Sequence, residues 1–358
     1  MEKEIYGFKF NITIEIEGNL KKITALPSPE KLDSYSLGRQ IFSDATLDLL
    51  WNKHFFGIKH NTRTFEMLYN NYQDILVKED TIEKVLSQQQ VFCDMIIRCG
   101  IIVEEFAAIC SSIEKFVNHN TDIAESYLAA SQPIGFYDSI QANGSQRIIK
   151  KIFGYPEAKY DSRRIFSNLS DAEADLIWKG VNASVEHIKG ILDGISELIH
   201  RQIRTNFTLY DMYNKLKHAF APFYPFALPG ECTWSNVPLN IDEETLIKDY
   251  CFNSVTIMHD KLRGQRTAEE QQKFDDHKLA TPTLTRVEMN NSTIDSMLAV
   301  IKDIEKLYSR LVETYIAHSY GSKGLSLTIK EDALTESEIT DLMAIIEDGA
   351  RYISNNNQ

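Results

Sequence analysis

The chain opens on a strict alternation. Tyr6, Phe8, Phe10, Ile12, Ile14 and Ile16 take every second position. A period of two belongs to a strand with one apolar face. Gly18-Asn19 offers a turn and Leu20 to Leu26 a return, so a small β hairpin is expected over residues 5–26. Such a hairpin is marginal alone in water, and its even-numbered face needs cover from helices or a partner. Residues 30–75 show little period beyond short helical pieces near 46–51.

From Asp80 the period lengthens to that of a helix. Ile82, Val85, Phe92, Ile96, Cys99, Val103, Phe106, Ile109, Ile113 and Phe116 fall mostly three or four apart, with Leu86 and Gln89 on the same stripe. They predict one long amphipathic helix, or two with a bend near Gly100, capped by Asp80 with Glu83. Pro133, Gly135, Gly144, Gly154 and Pro156 then break residues 118–169 into short helices and loops. A second pillar starts at the capping box Ser170–Glu173, and its stripe runs from Leu176 through Ile188 and Ile195 to Ile203. Thr208 with Asp211 restarts a short helix that Pro222 ends. Four prolines (Pro222, Pro225, Pro229 and Pro238) exclude regular helix over 221–238. A further helix is expected over 243–261, and the charged stretch 263–278 reads as a solvated helix or an excursion. The third pillar covers 293–318, and Thr335 with Glu338 caps a last helix.

These elements give a mainly α protein: a large helical bundle of long amphipathic helices with a small N-terminal β hairpin. The expected organisation is 1–75 for the hairpin and short helices, 76–325 for the bundle, and 326–358 for a C-terminal helix and polar tail.

Composition adds limits. The net charge of −13 over 358 residues argues against a protein that coats nucleic acid over its whole surface. The five cysteines form no C-x-x-C pair and read as reduced, buried thiols. No export signal and no run of about 20 apolar residues is present, so a cytoplasmic protein without membrane association is expected. P-loop, G-x-S-x-G and H-E-x-x-H patterns are absent, and no cofactor or metal is implied.

One stretch looks like a site. Tyr210-Asp-Met-Tyr-Asn-Lys-Leu-Lys-His-Ala-Phe220 places Asp211, Asn214 and His218 on one helical face. Arg201, Arg204, Lys215 and Lys217 surround them, against Asp211 as the one acid between His200 and Phe220. A local positive field of this kind attracts phosphate, and a histidine there can serve as acid, base or phosphate ligand. The plainer reading is a helix C-terminus whose basic residues face its dipole and solvent. Three other arrangements are weaker. Glu197 and His200 are half of a di-iron pattern without a second copy. His54 and His60 share no helical face, and Arg310 and His318 stand seven residues apart.

Asn214-Lys-Leu-Lys-His218, at the end of a bundle helix, resembles the HEPN superfamily. The helix carrying Arg98, Gly100, Glu104, Glu105 and Phe106 is similar to the early long helix of such proteins. Many HEPN proteins are ribonucleases of prokaryotic toxin and defence systems, with a motif of arginine, a polar residue, and then histidine. Asn214 matches the polar position and His218 the histidine, but Tyr213 stands where the arginine belongs. The resemblance, over about residues 80–225, implies an RNA- or protein-binding regulatory module that dimerises, with RNA contacts at Arg201, Arg204, Lys215 and Lys217. Two alternatives stay open. One is a metal-independent endoribonuclease in which His218 and Asn214 act with an arginine from elsewhere, such as Arg204 or a dimer mate's. The other is a structural or interaction protein with no active site.

Overall fold

The computed structural model describes residues 2–5, 8–17, 20–27, 41–53, 58–141, 145–166, 168–217, 223–224, 254–319, 325, 327–330 and 332–347. Up to residue 27, and at 223–224, the description is of backbone alone. The protein is mostly helical with small antiparallel sheets. It divides into two compact units that the chain visits in turn. One holds Met1–His60, Glu105–Asp193 and Glu305–Gln358, and the other Asn61–Glu104 and Gly194–Ile304.

In the first unit the strands Glu2–Ile5 (β1), Phe8–Glu17 (β2) and Leu20–Pro27 (β3) run antiparallel in chain order, with Ile14 opposite Ile23. Helix α1 is Asp44–Asn52, with Ser43 as its cap. The C-terminal part of the long helix α3 (Ile82–His119) follows, ending where Asn120 turns left-handed at φ 54°. The helices Ile123–Leu128 (α4), Gly135–Gln141 (α5) and Ser145–Ile152 (α6) fill the region expected as short pieces. Most of α7 (Asp171–Ile199), the second half of α10 (Asn291–Ser319) and α11 (Glu336–Glu347) complete the unit. Its core gathers the stripes: Phe106, Ile109, Ile113, Ile177, Val181, Ile188, Leu311 and Tyr315 are all buried. The rings of Phe106 and Tyr308 lie 5.7 Å apart, and the Tyr315 hydroxyl donates to the Ile152 carbonyl at 3.0 Å. Glu105 pairs with Lys53 at the end of α1. Burial opposes the charge on Lys53, but the Glu105 carboxylate outweighs it and raises the ammonium pKa.

The second unit carries α2 (Ile58–Leu76), the first part of α3, and the end of α7. Then come a two-stranded ribbon of Gln202–Arg204 (β4) and Phe207–Thr208 (β5), and helix α8 (Leu209–Lys217). A three-stranded sheet follows, in the order Phe223–Tyr224 (β6), Ser254–Asp260 (β7), Pro282–Glu288 (β8), with α9 (Ala268–His277) between its last two strands. Phe65, Tyr72, Phe92, Ile96, Ile195, Met212, Ile257, Val287 and Ile294 are buried in its core.

The capping boxes at Ser170–Glu173 and Thr335–Glu338 are formed as expected. Other expectations need correction. Residues 254–260, expected as helix, are strand β7. Val255, Ile257 and His259 share one face of the strand and are buried, and Ser254 and Thr256 on the other face are buried as well, as in a central strand covered on both sides. The second pillar does not reach Ile203, because the helix stops at Ile199 and Ile203 lies in β4. Helix α2 fills much of the stretch that showed little period. Helix α3 is capped by Thr81, whose hydroxyl accepts from the Lys84 amide at 3.1 Å. Asp80 instead pairs with the Lys84 ammonium at 2.7 Å. Leu86 leaves the buried stripe and is exposed.

Candidate functional site

Helix α8 is built by its own spacing. Leu209, Met212, Tyr213 and Leu216 are buried, at intervals that make one face. Its start is fixed by a capping box. The Thr208 amide donates to the Asp211 carboxylate at 2.9 Å, and the Asp211 amide to the Thr208 hydroxyl at 3.1 Å. The ribbon before it turns on Asn206, at φ 56°.

The helix is held by Glu104 of α3. The Tyr210 hydroxyl donates to Oε1 at 2.9 Å, the Lys217 ammonium to the same oxygen at 2.9 Å, and the Tyr213 hydroxyl to Oε2 at 2.6 Å. Positions 210, 213 and 217 rise along one side of α8, so three donors converge on one carboxylate. Burial pushes the Glu104 pKa up, but the hydrogen bonds from Tyr213, Lys217 and Tyr210 prevail and hold it below its ordinary value. The same burial, with the carboxylate beside them, raises both phenols well above the usual tyrosine range. They are therefore donors at any physiological pH. Lys217 also lies 4.6 Å from the centre of the Tyr213 ring. One turn before Glu104 on α3 stands Gly100, and a Cβ there would fall inside the Tyr213 ring. Only hydrogen at that position lets the ring in.

The sequence-derived candidates are thus dispersed in role. Tyr213, which departs from the motif the sequence resembles, is 2% exposed. Asn214 is half-buried and hydrogen-bonds the Tyr210 hydroxyl. Asp211 serves the capping box. His218 lies outside the described residues, as do His54, Cys232 and Cys251. Lys217 is committed to Glu104, and Lys215 is half-buried. Arg201 donates to the Ser296 hydroxyl at 3.1 Å, and Arg204 stands exposed on β4. Glu197 and His200 are both exposed, and the His200 ring turns back onto the Ser196 carbonyl at 2.9 Å. Among the described residues, no group of three or more His, Cys, Asp or Glu could hold a metal ion. Cys93, Cys99 and Cys110 are buried free thiols, with Cys93 and Cys99 pushed up to about 12 by burial.

Sequence reasoning missed two features of this unit. The first is His259, buried on β7 and stacked on Phe207 with centroids 5.0 Å apart. Its Nδ1 meets the Asp260 carbonyl at 2.8 Å and its Nε2 the Thr285 hydroxyl at 2.8 Å. A carbonyl only accepts, so Nδ1 carries the proton and Nε2 accepts from Thr285. Burial lowers its pKa and favours this neutral form. The alternation through Val255 and Ile257 was the signal that could have placed it.

The second is a pair of open polar depressions. One, of ≈ 580 Å³, is lined by residues 202–206 together with Arg286 and Glu288. The other, of ≈ 440 Å³, shares Arg286 and Glu288 and adds Ser254 and residues 289–291. Arg286 donates through Nε to the Ser254 hydroxyl at 2.9 Å. Ser254 is itself held through its carbonyl by the Gln89 amide at 2.9 Å. The lining of the larger depression comes from distant parts of the chain, so no local motif announces it.

No known protein family, curated protein or solved structure matches the chain.

Chemically, the Glu104 cluster is a structural lock. Its carboxylate is ionised and accepts from three donors, which suits it poorly to act as a general base. The larger depression is lined by charges of both signs, Arg204 and Arg286 with Glu288.

Proposed function

We propose that this chain is a HEPN-like binding or regulatory module of a prokaryotic toxin or defence system. In this reading it associates with RNA and does not cleave it. The observation that carries the proposal is the fate of position 213. Where the resemblance requires an arginine, a tyrosine is buried against Gly100 and donates to Glu104 at 2.6 Å. Cleavage of RNA by general acid–base chemistry needs a cation where negative charge develops. The nearest lysine along the same side of the helix, Lys217, is paired with Glu104 at 2.9 Å. His218 and Asn214 alone then make a phosphate contact at most.

The same reading carries its finer parts. The N-terminal hairpin covers its apolar face against the helices or a partner, two copies associate as HEPN proteins do, and the protein works in the cytoplasm. Among the described residues no helix is long and apolar enough to cross a membrane.

The test is incubation of the purified full chain with labelled RNA beside a His218→Ala variant. The expected result is intact RNA in both. Cleavage by the wild type that disappears in the variant overturns the non-catalytic reading, and makes Arg204 the next residue to replace.

A further inference from the structure

We propose that the β4–β5 ribbon is the moving part of a proton-operated switch, with His259 as its sensor. A second proton on the His259 ring releases the ribbon from the β6–β7–β8 sheet, while helix α8 stays on α3. Three observations support it. The first is the place of the ring. His259 is buried on the central strand β7, and Phe207, the first residue of β5, stacks on it with centroids 5.0 Å apart. The turn of the ribbon is tied near the same strand by an exposed bond, from the Gln265 side-chain amide to the Asn206 carbonyl at 2.7 Å. A ribbon of two short strands has little stability of its own, so it depends on such attachments.

The second is the bonding of the neutral ring, which uses both nitrogens. Nδ1 donates to the Asp260 carbonyl and Nε2 accepts from the Thr285 hydroxyl, each at 2.8 Å. A proton on Nε2 sets two donors against each other until Thr285 turns, and it puts a cation into a buried stack. Lys215 of α8 opposes that cation. Asp211 of α8 and Asp260 of β7 favour it, while β5 and β8 meet the ring with the uncharged Phe207 and Thr285. Asp260 is already engaged by Arg266 and by the Thr281 amide. The Phe207 face offsets part of the cost, but burial prevails and the pKa lies below its ordinary value of 6.5. The docked ring therefore binds a proton more weakly than a released one, and acid favours release.

The third is that the neighbouring attachment does not titrate in the same range. Glu104 fastens α8 to α3 through Tyr210, Tyr213 and Lys217, and its pKa is held below the ordinary 4.5. Between pH 7 and pH 5.5 it stays ionised, so the helix keeps its anchor as the ribbon loses one.

The experiment is amide hydrogen exchange of the full chain at pH 7 and pH 5.5, read by mass spectrometry, with each rate divided by the intrinsic rate at that pH. In the wild type, residues 202–207 should lose protection by up to about ten-fold at the lower pH, with α8 and the first part of α3 unchanged. His259→Gln keeps a donor and an acceptor but cannot titrate, and it should abolish the pH dependence. Lys215→Met removes the opposing cation, brings the docked pKa closer to that of the released ring, and should shrink the loss. It tests the same link if His259→Gln does not fold, which circular dichroism checks. Equal protection of the wild-type ribbon at both pH values overturns the switch, as does a loss of full size in either folded variant. Loss of protection in α8 together with the ribbon overturns it too, because the unit would then be opening as a whole.

Discussion

Gly100 and Tyr213 meet at the candidate helix, and the missing side chain of one makes room for the ring of the other. The ring occupies the space a methyl group would need, and its hydroxyl reaches Glu104 one turn further on. Gly100→Ala should therefore push α8 off α3 and cost about 1–3 kcal/mol, read as a lower midpoint in a denaturant melt. Tyr213→Phe keeps the ring and removes a donor to an ionised carboxylate, at a cost of about 1.5–3 kcal/mol. A Gly100→Ala protein as stable as the wild type would show that the close approach is not what holds the helix. In the sequence this glycine suggests only a bend in a long helix. Its actual use depends on a residue more than a hundred positions away, beyond any local pattern. Tyr213 likewise reads as a departure from a motif, and only the structure gives it a job of its own.

At the scale of elements, what was legible is what is decided locally. The boxes Ser170–Glu173, Thr208–Asp211 and Thr335–Glu338 formed where the sequence placed them, because the groups that bond lie three residues apart in the chain. Thr208→Ala should accordingly destabilise α8 by about 1 kcal/mol, measured as a loss of helical signal at lower denaturant. An unchanged transition would mean that packing alone nucleates this helix. The elements that escaped are those whose identity comes from neighbours. In α2 the buried positions Thr62, Phe65, Tyr72 and Ile75 are interrupted by asparagines and exposed polar residues, which blurs the stripe. Strand β7 takes its partners from β6 and from β8, both distant in the chain, with Val255 opposite Val287. The candidate site divides the same way. The face of α8 was readable from spacing, whereas the groove between β4 and β8 required the fold.

Across the whole molecule, buried charge-bearing groups set the response to acid. His259 is neutral in the fold, with its pKa depressed below the ordinary value of 6.5. As pH falls below that value, the unfolded chain takes up a proton that the folded one resists, so the folded state loses stability. The loss accumulates down to the folded-state pKa and then levels off for this residue. The groups that act on the ring are Lys215, which opposes protonation, and Asp260 and Asp211, which favour it. Melting midpoints measured between pH 7 and pH 5 should fall for the wild type and fall less for His259→Gln. Equal slopes would assign the acid sensitivity to other groups. The division of the chain has a practical consequence of a different kind. Any fragment that spans Asn61 to Ile304, and so holds all of one unit, also carries Glu105–Asp193 of the other, stripped of the stretches it packs with. Neither unit can be excised by trimming the ends, so truncation and limited proteolysis should yield exposed apolar surface and aggregation, not a minimal domain.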